Sequence, residues 1–334
     1  MNLLDRITPI FAKAPLSVTV ALCGACNGKC LYCKIRELTP APMPLDKTLA
    51  LLDELKSLGT MRIGFTQDEP LLYDDLGAVL KSARKNFSMV TLGSNGVLVP
   101  EKIDELAGNL DSLILPLDGM PETHDTHRGK GMYKAVTEAC KAAASADIPI
   151  WFTCVLAKDN IDQVEDILRL AKALGGKIHF QPLYHDPHIS GDTSDMLPGN
   201  DDLKLALAKI IAAKRHGEPI LNSLPSLETM LSWPDYSKPR LDEYSAERIK
   251  LPECSGGKLF AHINSKGDLY TCTEEVGESF NVFELGAKEA FTRLRDSSKV
   301  CKYSCLGSDY LEYNLLASGR PRSLLHAARI LLAR

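Results

Sequence analysis

No uninterrupted apolar run in this 334-residue sequence approaches the roughly 18–20 residues that a membrane span needs. The opening stretch MNLLDRITPIFAKAP interrupts its apolar residues with Asp5 and Arg6. It lacks a basic start and a small-residue cleavage site, so it is a poor signal peptide and a cytoplasmic setting is expected. Neither sign of charge dominates. The 39 basic and 43 acidic residues leave a formal net charge of -4, which gives no whole-chain case for nucleic acid. Internal repeats and low-complexity tracts are also missing, so the chain is not a repeat array. With 45% hydrophobic residues, the chain has the apolar surface that a disordered protein lacks. Its length suits one large domain with an appendage, or two domains.

Cysteine, by contrast, is plentiful. Ten cysteines in a chain with no sign of export argue for metal or redox chemistry rather than disulfides. Cys23, Cys26, Cys30 and Cys33 lie within eleven residues, and Cys254, Cys272, Cys301 and Cys305 lie in the last quarter. Cys140 and Cys154 stand alone and read as small buried hydrophobes.

From residue 15 to about 185, β-branched runs alternate with amphipathic stretches. The pattern predicts strands over 17–22, 61–65, 88–92, 112–117, 148–155 and 177–181. Helices are expected over 45–58, 73–85, 100–106, 133–144 and 160–174. Six strands separated by five helices imply a parallel α/β sheet, doubly wound or barrel-like, with ligands at the C-terminal strand ends. Further on, 202–216 and 222–231 read as helices, 254–272 as a β-hairpin turning at 264–267, and 284–295 as a helix. The basic, leucine-rich end, 320–334, reads as a terminal helix docked on the domain. Weak contact with a membrane surface is the alternative.

The first cysteine cluster, Cys23-Gly-Ala-Cys26-Asn-Gly-Lys-Cys30-Leu-Tyr-Cys33, follows the first strand directly. A loop with closely spaced thiolates can close on zinc with four ligands, or wrap an iron–sulfur cluster. With three protein thiolates, one iron stays open to another ligand. Cys26-x3-Cys30-x2-Cys33, with Tyr32 before the last cysteine, resembles the cluster motif of the radical S-adenosylmethionine (SAM) enzymes. The resemblance implies a partial (β/α)6 TIM-like barrel and a [4Fe–4S] cluster on Cys26, Cys30 and Cys33. It also implies reductive cleavage of SAM to a 5′-deoxyadenosyl radical that abstracts hydrogen from substrate. Cys23 is then a bystander at the strand end.

Later segments extend the resemblance over about residues 15–185. Gly64-Phe65-Thr66-Gln67-Asp68-Glu69-Pro70 is similar to the family's Gly-Gly-Glu-Pro segment at the SAM amino group, with Gln67 and Asp68 in place of the glycines. Gly93-Ser94-Asn95-Gly96 is similar to a Thr-Asn-Gly turn. Leu115-Pro116-Leu117-Asp118-Gly119 resembles a Ser-Leu-Asp-Gly segment, with Pro116 where serine is frequent. The implied SAM-binding set is Gln67, Asp68, Glu69, Pro70, Ser94, Asn95, Asp118, Arg128 and Leu156. Arg128 is aimed at a carboxylate, and Val155-Leu156 stands at the adenine. Asp118, His127, Arg128, Gln181 and His185 are candidate lining residues.

Cys254-x12-Gly267-x4-Cys272, followed by Cys301-x3-Cys305, offers four thiols from two elements. Zinc and iron–sulfur both suit such a set. The spacing resembles the auxiliary-cluster domains called SPASM and twitch, and four cysteines match the shorter twitch form. The resemblance implies a second, fully ligated [4Fe–4S] cluster that assists electron transfer or substrate positioning. The expected organisation is an N-terminal helix (1–14), a core barrel (15–185), connecting helices (186–250), a small β-hairpin/helix auxiliary-cluster domain (251–315) and a C-terminal amphipathic helix (316–334). The expected substrate is a small molecule, cofactor precursor or peptide, and the electron donor a flavodoxin- or ferredoxin-type protein. Only residues 1–16 precede the first strand, so no leader-peptide-binding domain is expected there. A zinc-stabilised scaffold and an iron–sulfur electron carrier are the alternatives.

Overall fold

The computed structural model describes residues 14–37, 41–184, 193–242, 251–273, 278–297 and 303–319. The expected helix over 1–14 and the basic end 320–334 lie outside these, as do His185 and Cys301. Six strands alternate with helices: β1 (Ser17–Val20), β2 (Arg62–Phe65), β3 (Met89–Gly93), β4 (Ser112–Pro116), β5 (Ile150–Leu156) and β6 (Lys177–Pro182). All pair in parallel, in spatial order 1-2-3-4-5-6, which is the order of a partial TIM-like barrel. Each lies within a residue or two of its predicted position.

Alternation along the strands divides the sheet into two faces. Val18, Val20, Ile63, Phe65, Val90 and Leu92 are fully buried in one core with Leu52 and Leu55 of the helix Leu45–Ser57. Thr19, Gly64, Thr91, Gly93, Thr153 and Val155 occupy the intervening positions, a face of small and polar residues. Because all six strands run one way, their C-terminal ends share one edge, and the loops bearing the candidate residues meet there.

Differences from the predicted elements have local causes. The helix expected from residue 160 begins at Val164. Asn160 is used as a buried bracket instead: its side chain takes the Ala157 N–H and donates to the Asp118 and Val155 carbonyls. The helix expected over 284–295 is split by Gly286, at φ 76°, into Val282–Leu285 and Ala287–Asp296. Pro121–Arg128, not foreseen as a helix, is one, with proline at its start.

Beyond β6 come β7 (Arg240–Leu241), β8 (Phe260–Ile263), β9 (Asp268–Tyr270), β10 (Phe280–Asn281) and β11 (Ser304–Cys305). The expected hairpin is β8–β9, but the sheet does not set it apart from the barrel. β8 pairs in parallel with β1, so the sheet continues to nine strands in the order 10-9-8-1-2-3-4-5-6. β7 and β11 form a separate antiparallel pair. The helix Ser308–Ala317 bridges both ends of the barrel wall. Its Ser308 N–H and hydroxyl donate to the Gln181 side chain on β6, and Tyr310 stacks on Phe260 of β8 at 4.7 Å.

Candidate active site

The first cysteine loop leaves β1 and is held by the loops after β2, β3 and β4. Asp68 takes the Cys23 and Gly24 N–H groups at 2.7 and 2.8 Å, which fixes the start of the loop. Gln67 adopts φ 78°, the left-handed region that glycine favours, at a place where the Gly-Gly-Glu-Pro pattern has glycine. Its side chain is exposed, so this backbone shape forces no side chain into the core. Gly24 has φ 61°, and a Cβ there would lie 2.6 Å from Ser265 Oγ. The β8–β9 turn therefore presses against the first cysteine loop.

Glu69 is buried and joins two loops. Its carboxylate accepts from Ser94 Oγ at 2.9 Å, from the Asn95 N–H at 2.7 Å and from the Leu71 N–H at 3.2 Å, beside Pro70. Burial outweighs these donors and raises its pKa to about 7. Asn95 in turn donates to Asn27 at 2.5 Å and lies 3.9 Å from Cys26 Sγ.

On the other side, Asp118 is fully buried after β4. It accepts from Arg128 Nε at 2.5 Å, Tyr32 Oη at 2.6 Å and the Val155 N–H at 2.9 Å. Burial opposes its charge, but the Arg128 guanidinium prevails and holds its pKa down at about 2. Arg128 Nη1 lies 3.8 Å from Cys30 Sγ. Asp118 and Arg128, both expected at SAM, are thus engaged first with each other.

The sulfurs fit a thiolate-held group. Cys26 Sγ accepts the Gly28 N–H at 3.3 Å, and a Cβ on Gly28 would lie 3.3 Å from Cys26 Sγ and 3.8 Å from Cys30 Sγ. Burial raises the Cys26 pKa, and the Glu69 carboxylate and then Cys30 and Cys33 raise it further. Among the described residues, no three His, Cys, Asp or Glu side chains are arranged for a single metal ion. Cys23 differs: its thiol is buried, donates to the Glu69 carbonyl at 3.4 Å, and is pushed up to about 12, first by burial and then by Asp68. A thiol so held stays protonated and is a poor metal ligand.

Other expected residues sit elsewhere. Leu156 is fully buried, and the β5 alternation turns Val155 to the half-open face. His127 is buried, 2.7 Å from Asp159. Gln181 is committed to Ser308. Two residues went unread in the sequence: Thr19 and His262 pair across β1 and β8 at 3.1 Å, beside Gly64. The alternation Ala261-His262-Ile263 was the signal that His262 faces away from the core.

At the far end of β8, Cys254 and Cys272 pack with Leu259, Phe260, Tyr310 and Tyr313. Ser304, next to Cys305, donates to the Pro252 carbonyl at 3.1 Å and brings β11 to the same corner. β8 has four residues, so at roughly 3.3 Å per residue about 13 Å of strand separates this corner from the first loop's edge.

Residues 20–171 match the family model described as the Radical SAM superfamily. The AdoMet-dependent heme synthase of Methanosarcina barkeri is 24% identical over 92% of this chain and 98% of the relative. The sporulation killing factor maturation protein SkfB of Bacillus subtilis is 29% identical over 49% of this chain and 41% of that protein. The structure of Streptococcus suis SuiB bound to S-adenosylmethionine superposes with a TM-score of 0.66 at 13% identity, over 88% of this chain and 69% of SuiB. That of anSMEcpe with bound AdoMet and the Kp18Cys peptide gives 0.61 at 17%, over 96% and 98%. The parallel barrel, the cysteine loop at its C-terminal edge and these matches lead to one conclusion: residues 20–171 are a radical SAM domain, and the protein that carries it is an enzyme.

Proposed function

We propose that Cys26, Cys30 and Cys33 hold a [4Fe–4S] cluster with SAM on its open iron, and that the enzyme abstracts hydrogen from a peptide or a cofactor precursor. The observation that carries this reading is the convergence of the Gly28 N–H, Asn95 and Arg128 on the Cys26 and Cys30 sulfurs. Thiols need no such donors, whereas metal-bound sulfurs are stabilised by them. When bound, the group supplies a 5′-deoxyadenosyl radical. The chain's part is to hold it: Asp68 and Gln67 shape the loop, Glu69 ties Ser94 and Asn95 to it, and Asp118 anchors Arg128. Ser94, Asn95, Glu69 and Pro70 stand on the side where the SAM amino group is expected, and Val155, on the half-open face, on the adenine side.

The substrate class is supported by what the relatives act on. They include a heme synthase, a killing-factor maturation protein and a peptide cyclase named for PqqA. SuiB has been solved with its precursor peptide SuiA. Cys254, Cys272, Cys301 and Cys305 are proposed to hold a second [4Fe–4S] cluster, with a flavodoxin- or ferredoxin-type donor supplying electrons. Supporting this are the packing of Cys254 and Cys272 beside Phe260, the Ser304–Pro252 hydrogen bond that ties β11 to the segment before Cys254, and the strand that joins that corner to β1.

Iron, sulfide and zinc content after anaerobic reconstitution tests the reading, for the wild type and a Cys26/Cys30/Cys33 triple alanine variant. About eight irons falling to about four, with loss of SAM cleavage, is the expected result. Stoichiometric zinc without iron overturns it.

A further inference from the structure

Arg128 does more than the family pattern asks of it. It is the last residue of the helix Pro121–Arg128, and the adjoining His127 carbonyl accepts the Leu31 N–H at 2.9 Å, which ties that helix end to the cysteine loop. Asp118 grips Nε, the Tyr32 ring lies 5.0 Å from the guanidinium carbon, and the Tyr32 hydroxyl completes the clamp on Asp118. The Val155 N–H and the Asn160 side chain fix Asp118 from behind. A free arginine would spend its rotamers in water. This one is left a single forward direction, and Nη1 meets the Cys30 sulfur there at 3.8 Å. Cys26, by comparison, receives neutral donors, the Gly28 N–H and the Asn95 amide.

We propose that Arg128, clamped by Asp118 and Tyr32, raises the reduction potential of the cluster that Cys30 ligates, by holding a fixed positive charge and an N–H donor against its sulfur. The inference rests on the cluster assignment above. Reduction adds one negative charge to the cluster, so a guanidinium that stays charged at every working pH favours the reduced form. Hydrogen bonds to cluster sulfurs act in the same direction. Arg128 is then a positioning residue for electron uptake, independent of any contact with SAM.

The test is a redox titration of the reconstituted full-length protein without SAM. It follows the electron paramagnetic resonance signal that the Cys26/Cys30/Cys33 triple alanine variant lacks. Arg128→Gln is expected to lower the midpoint by at least 59 mV, a tenfold shift in a one-electron equilibrium. Arg128→Lys, which keeps a charge but loses the fork, is expected to fall between. Arg169→Gln, which removes an exposed guanidinium on another helix, is expected to match the wild type. A loaded Arg128→Gln cluster at the wild-type potential overturns the proposal. If that variant binds no iron, Arg128→Lys decides, and a wild-type value there overturns it as well. Loss of iron from both variants would make Arg128 a determinant of cluster retention and also overturn it. Absence of the signal from the wild type would sink the cluster assignment itself, and iron analysis separates that failure from the others.

Discussion

The two cysteine-bearing regions are built on different principles. The first packs Cys23, Cys26, Cys30 and Cys33 into one short loop and fixes it with polar side chains from three neighbouring loops: Asp68 and Glu69, Asn95, and Asp118 with Arg128. The second draws on Cys254 and Cys272, which flank the β8–β9 hairpin and pack beside Phe260, and on Cys305 of β11. A loop whose cysteines are neighbours needs outside groups only to shape it. Cysteines fifty residues apart must first be brought together by the fold. The first region is therefore expected to keep its cluster when the second is disturbed.

Replacing Cys26, Cys30 and Cys33 by alanine should abolish SAM cleavage, whereas Cys272→Ala should remove about four irons and leave uncoupled cleavage measurable. Loss of cleavage in Cys272→Ala would erase the difference between the regions. Next in size is Asp118→Ala. It strands Arg128 beside buried surface and should cost about 3 to 5 kcal/mol in denaturant unfolding, the range for a broken buried pair.

A pH effect on the ligand-free protein comes third. The Glu69 pKa is raised from 4.5 to about 7 on folding, so its contribution to stability is complete below 4.5 and is lost as pH rises through 7. Unfolding midpoints should fall between pH 5 and pH 8 by less in Glu69→Gln than in the wild type. Tyr310→Phe in the second region removes a hydrogen bond from the Thr273 N–H but keeps the stacking on Phe260, and should cost about 1 kcal/mol. The smallest expected effect is that of Cys23→Ser on iron content. Iron should be unchanged, and a loss of about four irons would make Cys23 a ligand.

The same contrast explains what could be read in advance. β1 to β6 were legible because short β-branched runs bounded by turn residues leave little choice of structure, and parallel order follows from the intervening helices. The position of the Cys26, Cys30 and Cys33 loop after β1 was legible because that order is local. Arg128 was read as reaching a ligand carboxylate, but a carboxylate of the protein, Asp118, reaches it first. Val155-Leu156 is legible only as a pair, because composition does not reveal which neighbour the pleat turns into the core. The hairpin was seen as a hairpin, while its seat beside β1 was not. Ser17 and Phe260 are partners across 243 positions of sequence, and nothing in either segment names the other.

The sequence by itself determined the barrel's strands and helices and the place of the cysteine loop directly after β1. These rest on periodicity, turn chemistry and spacing, which act within a few residues. Tertiary structure decided that Asp118 holds Arg128, that Gln181 docks Ser308, and that β8 carries the second cysteine corner onto the first loop's strand. Those are contacts between distant segments, set by which surfaces pack once the chain has closed.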